Sequence, residues 1–414
     1  MESFVNEVNF FEGNNPEDIV VKYGTPVYVY NERILRHRIR KVAVAIKNFP
    51  YRANFSMKAN SNLEILKIAL EEGINCDAMS VGEIKLLEHA GFPADRIFFV
   101  PNNVSDEELK YAIDRGITVS LDSLSQLERF GVLNPGGKCA VRINPGVGAG
   151  HSDSVVTAGK NTKFAVEEKD VPELKRVAEK YNLKIVGLNQ HIGSLFMEPK
   201  PYIDAARNFL RIARRFEGLE FVDFGGGFGV PYHKLAGEQE FDMDLLTEEL
   251  EKIIADFDKE YDGNILYKSE PGRYVVADSA VILGRVHAVK ESYEKRYVGT
   301  DIGQNVLVRP TLYGSWHDVE VLRDGKPVLP SSGTQVVSVT GNICESGDII
   351  AKERELPVIK EGDLVCVLDA GAYGYSMCSP YNSRPRPAEV IICEDGSTKC
   401  IRRAETFEDL IRLF

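Results

Sequence analysis

A regular alternation of short apolar strands and amphipathic helices runs from residue 52 to residue 270. The predicted strands cover residues 52–58, 74–78, 97–100, 117–121, 138–143, 184–190, 219–224 and 265–270. Helical patterns separate these strands, and parallel neighbouring strands need such helical connections between them. Eight strand–helix units in about 220 residues are typical of a (β/α)₈ barrel. We therefore predict a fold of the α/β plus all-β class that begins with a TIM-type barrel.

The pattern changes near residue 280. Short strands with Gly, Pro and Asp turns follow, and no long amphipathic helix separates them, which predicts an antiparallel β domain. The strand at 25–30 is not needed to close a barrel of eight, so we expect it to join this β domain. The predicted domains are an N-terminal strand segment at 1–31, a cofactor-binding barrel at 32–280 and a C-terminal β domain at 281–414.

Composition limits the kinds of partner that the protein is expected to bind and the cellular compartment in which it is expected to lie. The net charge of −12 argues against nucleic acid or a membrane surface as partner, but not against a small anionic substrate. No apolar run approaches the ~20 residues of a membrane span, and the first ten residues lack the pattern of a signal peptide. Seven scattered cysteines without a CxxC pair predict a reduced, cytoplasmic protein without disulfides or structural zinc.

Unusual residues fall where the predicted barrel strands end, which is the end that holds the chemistry in such barrels. Lys58 ends the first strand, Arg142 the fifth, His191 the sixth and Glu270 the eighth. A lysine in an apolar setting can form a Schiff base with an aldehyde cofactor such as pyridoxal 5′-phosphate (PLP). The alternative is a lysine at the solvent edge of a strand.

The seventh strand ends in the glycines Gly225, Gly226, Gly227 and Gly229. Backbone N–H groups without Cβ atoms nearby can approach a phosphate closely, and phosphate sites in these barrels often use the loops after strands seven and eight. A tight strand-to-helix turn is the alternative. Ser194 could add a hydroxyl donor. His191 could stack on a flat ring or satisfy local backbone groups.

Two further groups have both a chemical and a structural interpretation. A carboxylate such as Glu270, placed at a pyridine nitrogen, keeps the ring protonated and electron-withdrawing; the alternative is a salt bridge to Arg273. Arg309 and Tyr313 suggest recognition of a carboxylate, although Arg309 could equally lie at the surface.

A thiol, Cys344, stands next to an acid, Glu345, in a predicted turn. Most single cysteines are small buried residues without a chemical role. Tyr373 lies in a turn of small residues and offers a phenol.

Several separated motifs resemble those of the diaminopimelate decarboxylases, PLP enzymes of the alanine-racemase-like fold type. The resemblance spans about residues 25–388. In order, the motifs are Met57-Lys58-Ala59-Asn60, His191-Ile192-Gly193-Ser194, Gly225-Gly226-Gly227-Phe228-Gly229, Glu270-Pro271-Gly272-Arg273, Arg309-Pro310-Thr311-Leu312-Tyr313-Gly314, Cys344-Glu345-Ser346-Gly347-Asp348 and Asp369-Ala370-Gly371-Ala372-Tyr373-Gly374.

The resemblance implies a role for each matched residue. Lys58 would hold PLP as a Schiff base, His191 would stack on its ring and Glu270 would meet its pyridine nitrogen. The phosphate would be bound by Ser194, the glycines Gly225, Gly226, Gly227 and Gly229, and the backbone of Glu270, Pro271, Gly272 and Arg273. The distal carboxylate of the substrate would be bound by Arg273, Arg309 and Tyr313. Cys344 would donate a proton, Glu345 would bind the distal ammonium, and Tyr373 would contact cofactor and substrate.

The implied reaction converts meso-2,6-diaminopimelate to L-lysine and CO₂ in a head-to-tail homodimer, in which Cys344 and Glu345 come from the partner subunit. Alternatives are a decarboxylase of ornithine, arginine or carboxynorspermidine, an alanine racemase, a non-catalytic regulatory relative and a PLP carrier. The chain departs from the common family pattern at Leu195, Gln304 and the loop 148–165, which bears on substrate preference.

Overall fold

The computed structural model of the protein describes residues 3–148, 150, 157–159, 162–261 and 263–414. Part of the loop singled out at 148–165 lies outside these ranges. The chain divides into two compact units. The β unit comprises Met1–His37, Pro231–Gln239 and Val276–Phe414, and the barrel unit comprises Arg38–Val230 and Glu240–Val275.

The first elements along the chain are two short helices, one strand and a longer helix. They are α1 (Phe4–Glu7), α2 (Pro16–Tyr23), β1 (Val27–Asn31) and α3 (Glu32–Ala43). Strand β1 is completely buried.

Eight parallel strands close into a barrel in chain order, because the last strand pairs with the first. This confirms the predicted (β/α)₈ barrel. The strands are β2 (Tyr51–Ser56), β3 (Asn75–Ala78), β4 (Ile97–Phe99), β5 (Thr118–Leu121), β6 (Lys138–Arg142), β7 (Lys184–Asn189), β8 (Phe221–Asp223) and β9 (Leu266–Ser269).

Local sequence signals explain where many of the barrel helices begin. Asn62, Ser80, Ser105, Ser123 and Asp242 each stand just before a helix and accept a hydrogen bond from its first turn, as N-cap residues do. The helices are α4 (Leu63–Glu71), α5 (Val81–Ala90), α6 (Asp106–Ile113), α7 (Leu124–Leu133), α8 (Val171–Lys180), α9 (Lys200–Ala213) and α10 (Met243–Asp258).

The remaining elements build the β unit, apart from the short helix α11 (Arg273–Val276) that leads into it. The strands are β10 (Ala280–Ser292), β11 (Lys295–Thr300), β12 (Val319–Arg323), β13 (Lys326–Pro327), β14 (Thr334–Thr340), β15 (Ile349–Pro357), β16 (Leu364–Val367), β17 (Ala388–Ile392) and β18 (Thr398–Arg402). Two short helices, α12 (Arg309–Tyr313) and α13 (Phe407–Ile411), interrupt and end the series.

A ten-stranded sheet organises the β unit, with a central order β13-β12-β16-β10-β1-β17-β18. Most neighbours are antiparallel, as predicted, but β1–β17 and β11–β14 pair in parallel. Strand β1 lies between β10 and β17, and its apolar side chains join a core with residues such as Phe10, Leu283 and Val390. Among the described helices, none is long and apolar enough to cross a membrane.

Candidate active site

Lys58 follows strand β2 rather than ending it. The strand stops at Ser56, and Lys58 stands in the middle of a single 3₁₀ turn, Met57–Ala59, which the Asn60 N–H closes by donating to the Met57 carbonyl. Its neighbours Met57 and Ala59 are buried, whereas Lys58 is half-buried. The turn therefore places Lys58 just beyond the carboxyl end of the strand.

A cavity of about 310 Å³ opens at this end of the barrel. Its size lies within the range of small-molecule sites. It brings together four residues that the sequence placed at the ends of different strands, Lys58, Arg142, His191 and Glu270. The full lining is Lys58, Met79, Val100, Asn102, Arg142, Thr157, Phe164, Asn189, His191 and Glu270.

A larger depression of about 610 Å³ lies at the opposite end of the strands. It is bordered by Lys138 and Lys184, the first residues of β6 and β7, and by Glu220 just before β8. Lys138 already pairs with Glu220 there. Since chemistry in (β/α)₈ barrels occurs at the carboxyl ends of the strands, the smaller cavity is the candidate active site.

Three buried carboxyl groups lie in and around the cavity. Burial raises the pKa of Glu270 well above its usual value, and the neighbouring Asp223 and Asp77 add to the effect. Burial likewise raises the pKa of Asp223 to about 6 and that of Asp77 to about 8, with Lys58 opposing the shift at Asp77. Glu270 Oε1 is buried and has no hydrogen-bond partner among the described residues. Such an oxygen is suited to a donor supplied by a ligand.

His191 is held as a neutral ring. Its Nδ1 accepts a hydrogen bond from the Gly226 N–H at 3.3 Å, so the ring proton belongs on Nε2. Removal from water, together with the cations Lys58 and Arg142, lowers the pKa of His191 well below its usual value. A neutral imidazole can lie against a flat ligand without adding positive charge.

The glycine loop after β8 is tightly packed against backbone. A Cβ on Gly226 would overlap the carbonyl oxygen of Glu270, and one on Gly227, at a φ of +110°, would overlap the carbonyl oxygen of Gly193. Both positions therefore require glycine. The Gly225 N–H is anchored by donating to Asp223 Oδ1 at 2.9 Å.

Ser194 and Arg273 meet in the same unit. Arg273 Nη2 donates to Ser194 Oγ at 3.1 Å. The segment that leads to Arg273 packs on the turn of Lys58, because the Ser56 N–H donates to the Pro271 carbonyl at 3.1 Å and a Cβ on Gly272 would touch Ser56. Ser194 and Arg273 do not line the cavity itself.

In the β unit, Arg309 is buried and oriented by a histidine. Its Nη1 donates to His317 Nε2 at 2.7 Å, and His317 Nδ1 donates to the Leu368 carbonyl at 2.7 Å. A carbonyl only accepts, so the ring proton is on Nδ1 and Nε2 is the acceptor. Tyr232 lies under the guanidinium, 4.5 Å from ring centroid to Arg309 Cζ.

The Cys344–Glu345 turn is exposed and braced by side chains. The Cys344 N–H donates to Asn382 Oδ1 at 3.0 Å. Glu345 accepts from Gln304 Nε2 at 2.8 Å and from the Tyr381 hydroxyl at 2.6 Å.

Tyr313 and Tyr373 also belong to the β unit, and both are half-buried. Tyr313 is the last residue of α12. Tyr373 has a φ of +55° in the small-residue turn that begins at Asp369. Asp369 forms a buried ion pair with Lys234, from Nζ to Oδ1 at 2.7 Å.

Several of these residues were not predicted from the sequence. Arg142 stands at a predicted strand end but was given no role, and Asn189 was not among the candidates, although both line the cavity. His317 and Tyr381 had no spacing signal. Their partners lie at distant positions in the chain, and only the folded β unit brings them together.

Known proteins match nearly the whole chain. Residues 33–277 match the family described as pyridoxal-dependent decarboxylase, pyridoxal binding domain. A diaminopimelate decarboxylase of Methanothermobacter thermautotrophicus is 41% identical over 409 residues, covering 97% of this chain and 94% of the relative. A diaminopimelate decarboxylase of Thermoplasma acidophilum is 36% identical over 404 residues, covering 96% of this chain and 95% of the relative. The crystal structure of the Helicobacter pylori diaminopimelate decarboxylase complexed with L-lysine has a TM-score of 0.88 at 30% identity, covering 96% of this chain and 99% of that one.

Proposed function

The chain belongs to the diaminopimelate decarboxylase family of pyridoxal-dependent decarboxylases, and from this premise we propose that it converts meso-2,6-diaminopimelate to L-lysine and CO₂. This reaction is the last step of lysine biosynthesis. The observation that most strongly supports the proposal is the cavity shared by Lys58, His191 and Glu270. An amine, a neutral flat ring and a buried acid in one site are the groups that amino-acid chemistry on PLP needs.

Membership of this family implies PLP as the cofactor, and the residues present fit it. Lys58 offers the amine that would hold its aldehyde carbon. Glu270 offers a buried oxygen without a donor among the described residues, suited to a protonated ring nitrogen. The glycines Gly226 and Gly227, where a Cβ would overlap neighbouring backbone, lie in the loop after the seventh barrel strand, where phosphate sites often lie in such barrels. When bound, PLP withdraws electrons from the substrate's α-carbon so that a carboxyl group can leave as CO₂.

The chain's own residues would orient the substrate and move the proton. His191 would support the flat ring from one face, and the buried Glu270 would keep a positive charge at the ring nitrogen. Cys344 would deliver the proton from Sγ to the α-carbon that has lost its carboxyl group. Arg142, also in the cavity, adds positive charge beside these groups.

Recognition of the distal end of the substrate would need both signs of charge. Arg273, Arg309 and Tyr313 would bind the distal carboxylate through a fork of N–H donors and a hydroxyl. Glu345 would bind the distal ammonium. Tyr373 would contact both cofactor and substrate.

We also propose a homodimer with shared active sites, in which Cys344 and Glu345 of one protomer serve the other. Both side chains are exposed in the single chain, and hydrogen bonds from the same chain hold the turn in place. Such a turn is suited to meet a second copy. All seven cysteines are free thiols, which supports a location in the reducing cytoplasm.

The alternative on the same fold is a decarboxylase of a basic amino acid such as ornithine, arginine or carboxynorspermidine. A basic distal group would need acidic partners. The fixed and buried guanidinium of Arg309 favours a distal carboxylate instead.

Incubation of the purified, PLP-loaded protein with meso-diaminopimelate tests the proposal. We expect stoichiometric release of lysine and CO₂, complete loss of both in Lys58→Ala, and unchanged release in Lys67→Ala, which alters an exposed lysine of α4. Release from ornithine, arginine or carboxynorspermidine, and none from diaminopimelate, would overturn the substrate assignment. Borohydride reduction that attaches PLP permanently to Lys58→Ala, as it should to the wild type, would contradict the covalent role of Lys58.

A further inference from the structure

Both carboxylate oxygens of Glu345 accept a hydrogen bond, each from a different part of the β unit. Gln304 Nε2 donates to Oε2 at 2.8 Å, and the Tyr381 hydroxyl donates to Oε1 at 2.6 Å. Gln304 comes from the segment before α12, and Tyr381 from the segment before β17. The two donors together fix the plane of a carboxylate that is otherwise exposed to solvent.

The same two donors keep Glu345 charged. Their hydrogen bonds lower the pKa of Glu345 below its usual value, so the side chain stays an anion. A carboxylate fixed in one orientation loses less conformational freedom when it binds a cation. Glu345 is therefore oriented in advance for a positively charged partner.

The segment around Tyr381 also holds the backbone of the same turn. Asn382 Oδ1 accepts from the Cys344 N–H at 3.0 Å, and Arg384 Nη2 donates to the Asn342 carbonyl at 3.0 Å. Asn382 has a φ of +54°. Asparagine enters this left-handed region more readily than most other residues, which suits it to such a turn. The turn is therefore braced on both its backbone and its acid.

We propose that Gln304 and Tyr381 are positioning residues that orient Glu345 and thereby set the preference for substrates with an ammonium group at the distal end. Their role rests on the proposed function, in which Glu345 binds that ammonium. Selectivity then depends on two residues that need not touch the substrate.

The variants Tyr381→Phe and Gln304→Met test the proposal, because each removes one donor and keeps a side chain of similar size. The KM for meso-diaminopimelate is measured in the PLP-loaded enzyme. The inhibition constant (Ki) of 2-aminopimelate as a competitor of meso-diaminopimelate is measured in the same enzyme. 2-Aminopimelate keeps both carboxylates and lacks the distal ammonium. Tyr293→Phe, at a tyrosine that is 98% exposed in the β10–β11 hairpin, is the matched control.

We expect each variant to raise the KM for meso-diaminopimelate about five- to tenfold, in the range for the net contribution of one hydrogen bond. The Ki of 2-aminopimelate should change less than about twofold. The control Tyr293→Phe should have the KM and Ki of the wild type. Equal weakening of both ligands, or no change in either, would refute the positioning role. A wild-type enzyme that releases no lysine would instead refute the proposed function, so the two failures are distinguishable.

Discussion

The buried ion pair between Lys234 and Asp369 makes a quantitative prediction about stability. The side chains are 8% and 0% exposed, and Lys234 Nζ lies 2.7 Å from Asp369 Oδ1. Burial raises the pKa of Asp369 to about 6, with Lys234 opposing the shift. A carboxyl group whose pKa is raised on folding stabilises the protein fully below its unfolded pKa, and that stabilisation is lost as the pH rises to the folded pKa.

Lys234→Met removes the ammonium and keeps an apolar stem, so the pKa of Asp369 should rise further. Well below pH 6 the carboxyl is protonated in both folded proteins, and their difference in stability does not depend on its charge. Above pH 6 the difference should grow by ~1.4 kcal/mol per pH unit, until the pH reaches the pKa of Asp369 in the variant. The penalty of the variant should therefore be larger at pH 8 than at pH 5, by up to ~2.7 kcal/mol.

Thermal unfolding of the PLP-loaded proteins at pH 5, 6, 7 and 8 measures this difference. At about 2–4 °C per kcal/mol for a unit of this size, the gap in Tm should widen by up to about 5–10 °C between pH 5 and pH 8. Lys352→Met, at an exposed lysine of β15, should show no such widening. The double variant Lys234→Met/Asp369→Asn should recover most of the loss at pH 8. A gap that is constant with pH would refute the reasoning.

Three predictions concern the candidate site. Gly226→Ala should lower PLP retention in dialysis at least about tenfold, as a loss of ~1.4 kcal/mol of binding would, because its methyl group would overlap the Glu270 carbonyl; unchanged retention would contradict the phosphate role of the loop. His317→Leu should raise the KM for meso-diaminopimelate about tenfold with a smaller change in kcat, because Arg309 loses its 2.7 Å acceptor; an unchanged KM would show that this acceptor does not orient Arg309 for binding. Cys344→Ala should lower kcat about 100-fold or more, the range for loss of a general acid, and near-normal turnover would refute its donor role.

The barrel was predictable because its strands and helices are local patterns that repeat in chain order. The same logic placed Lys58, His191 and Glu270 at strand ends, and the structure brings them into one cavity. The roles assigned to these residues stay predictions. The sequence also indicated that strand 25–30 lies outside the barrel, since eight other strands suffice to close it.

What the sequence did not reveal depends on contacts between distant segments. The groups that contact Arg309 include Tyr232 and His317, and the Leu368 carbonyl in turn accepts from His317. No periodicity relates these positions. The 3₁₀ turn of Lys58 was likewise predicted as strand. Its apolar neighbours Met57 and Ala59 continue the buried pattern of β2, although the backbone there has left the extended conformation.

The position of β1 has a consequence for how the chain is made. Val27 pairs with Leu283 on one side and with Ala388 on the other, so the central strand of the β unit is synthesised long before either neighbour. Closing such long loops is slow and entropically unfavourable. Since domains tend to fold as they emerge during synthesis, the barrel can form first. Until its partner strands are made, β1 remains an unpaired apolar segment that can bind chaperones or aggregate. A ribosome that stalls before residue 388 would therefore leave an unfinished sheet with an open central strand.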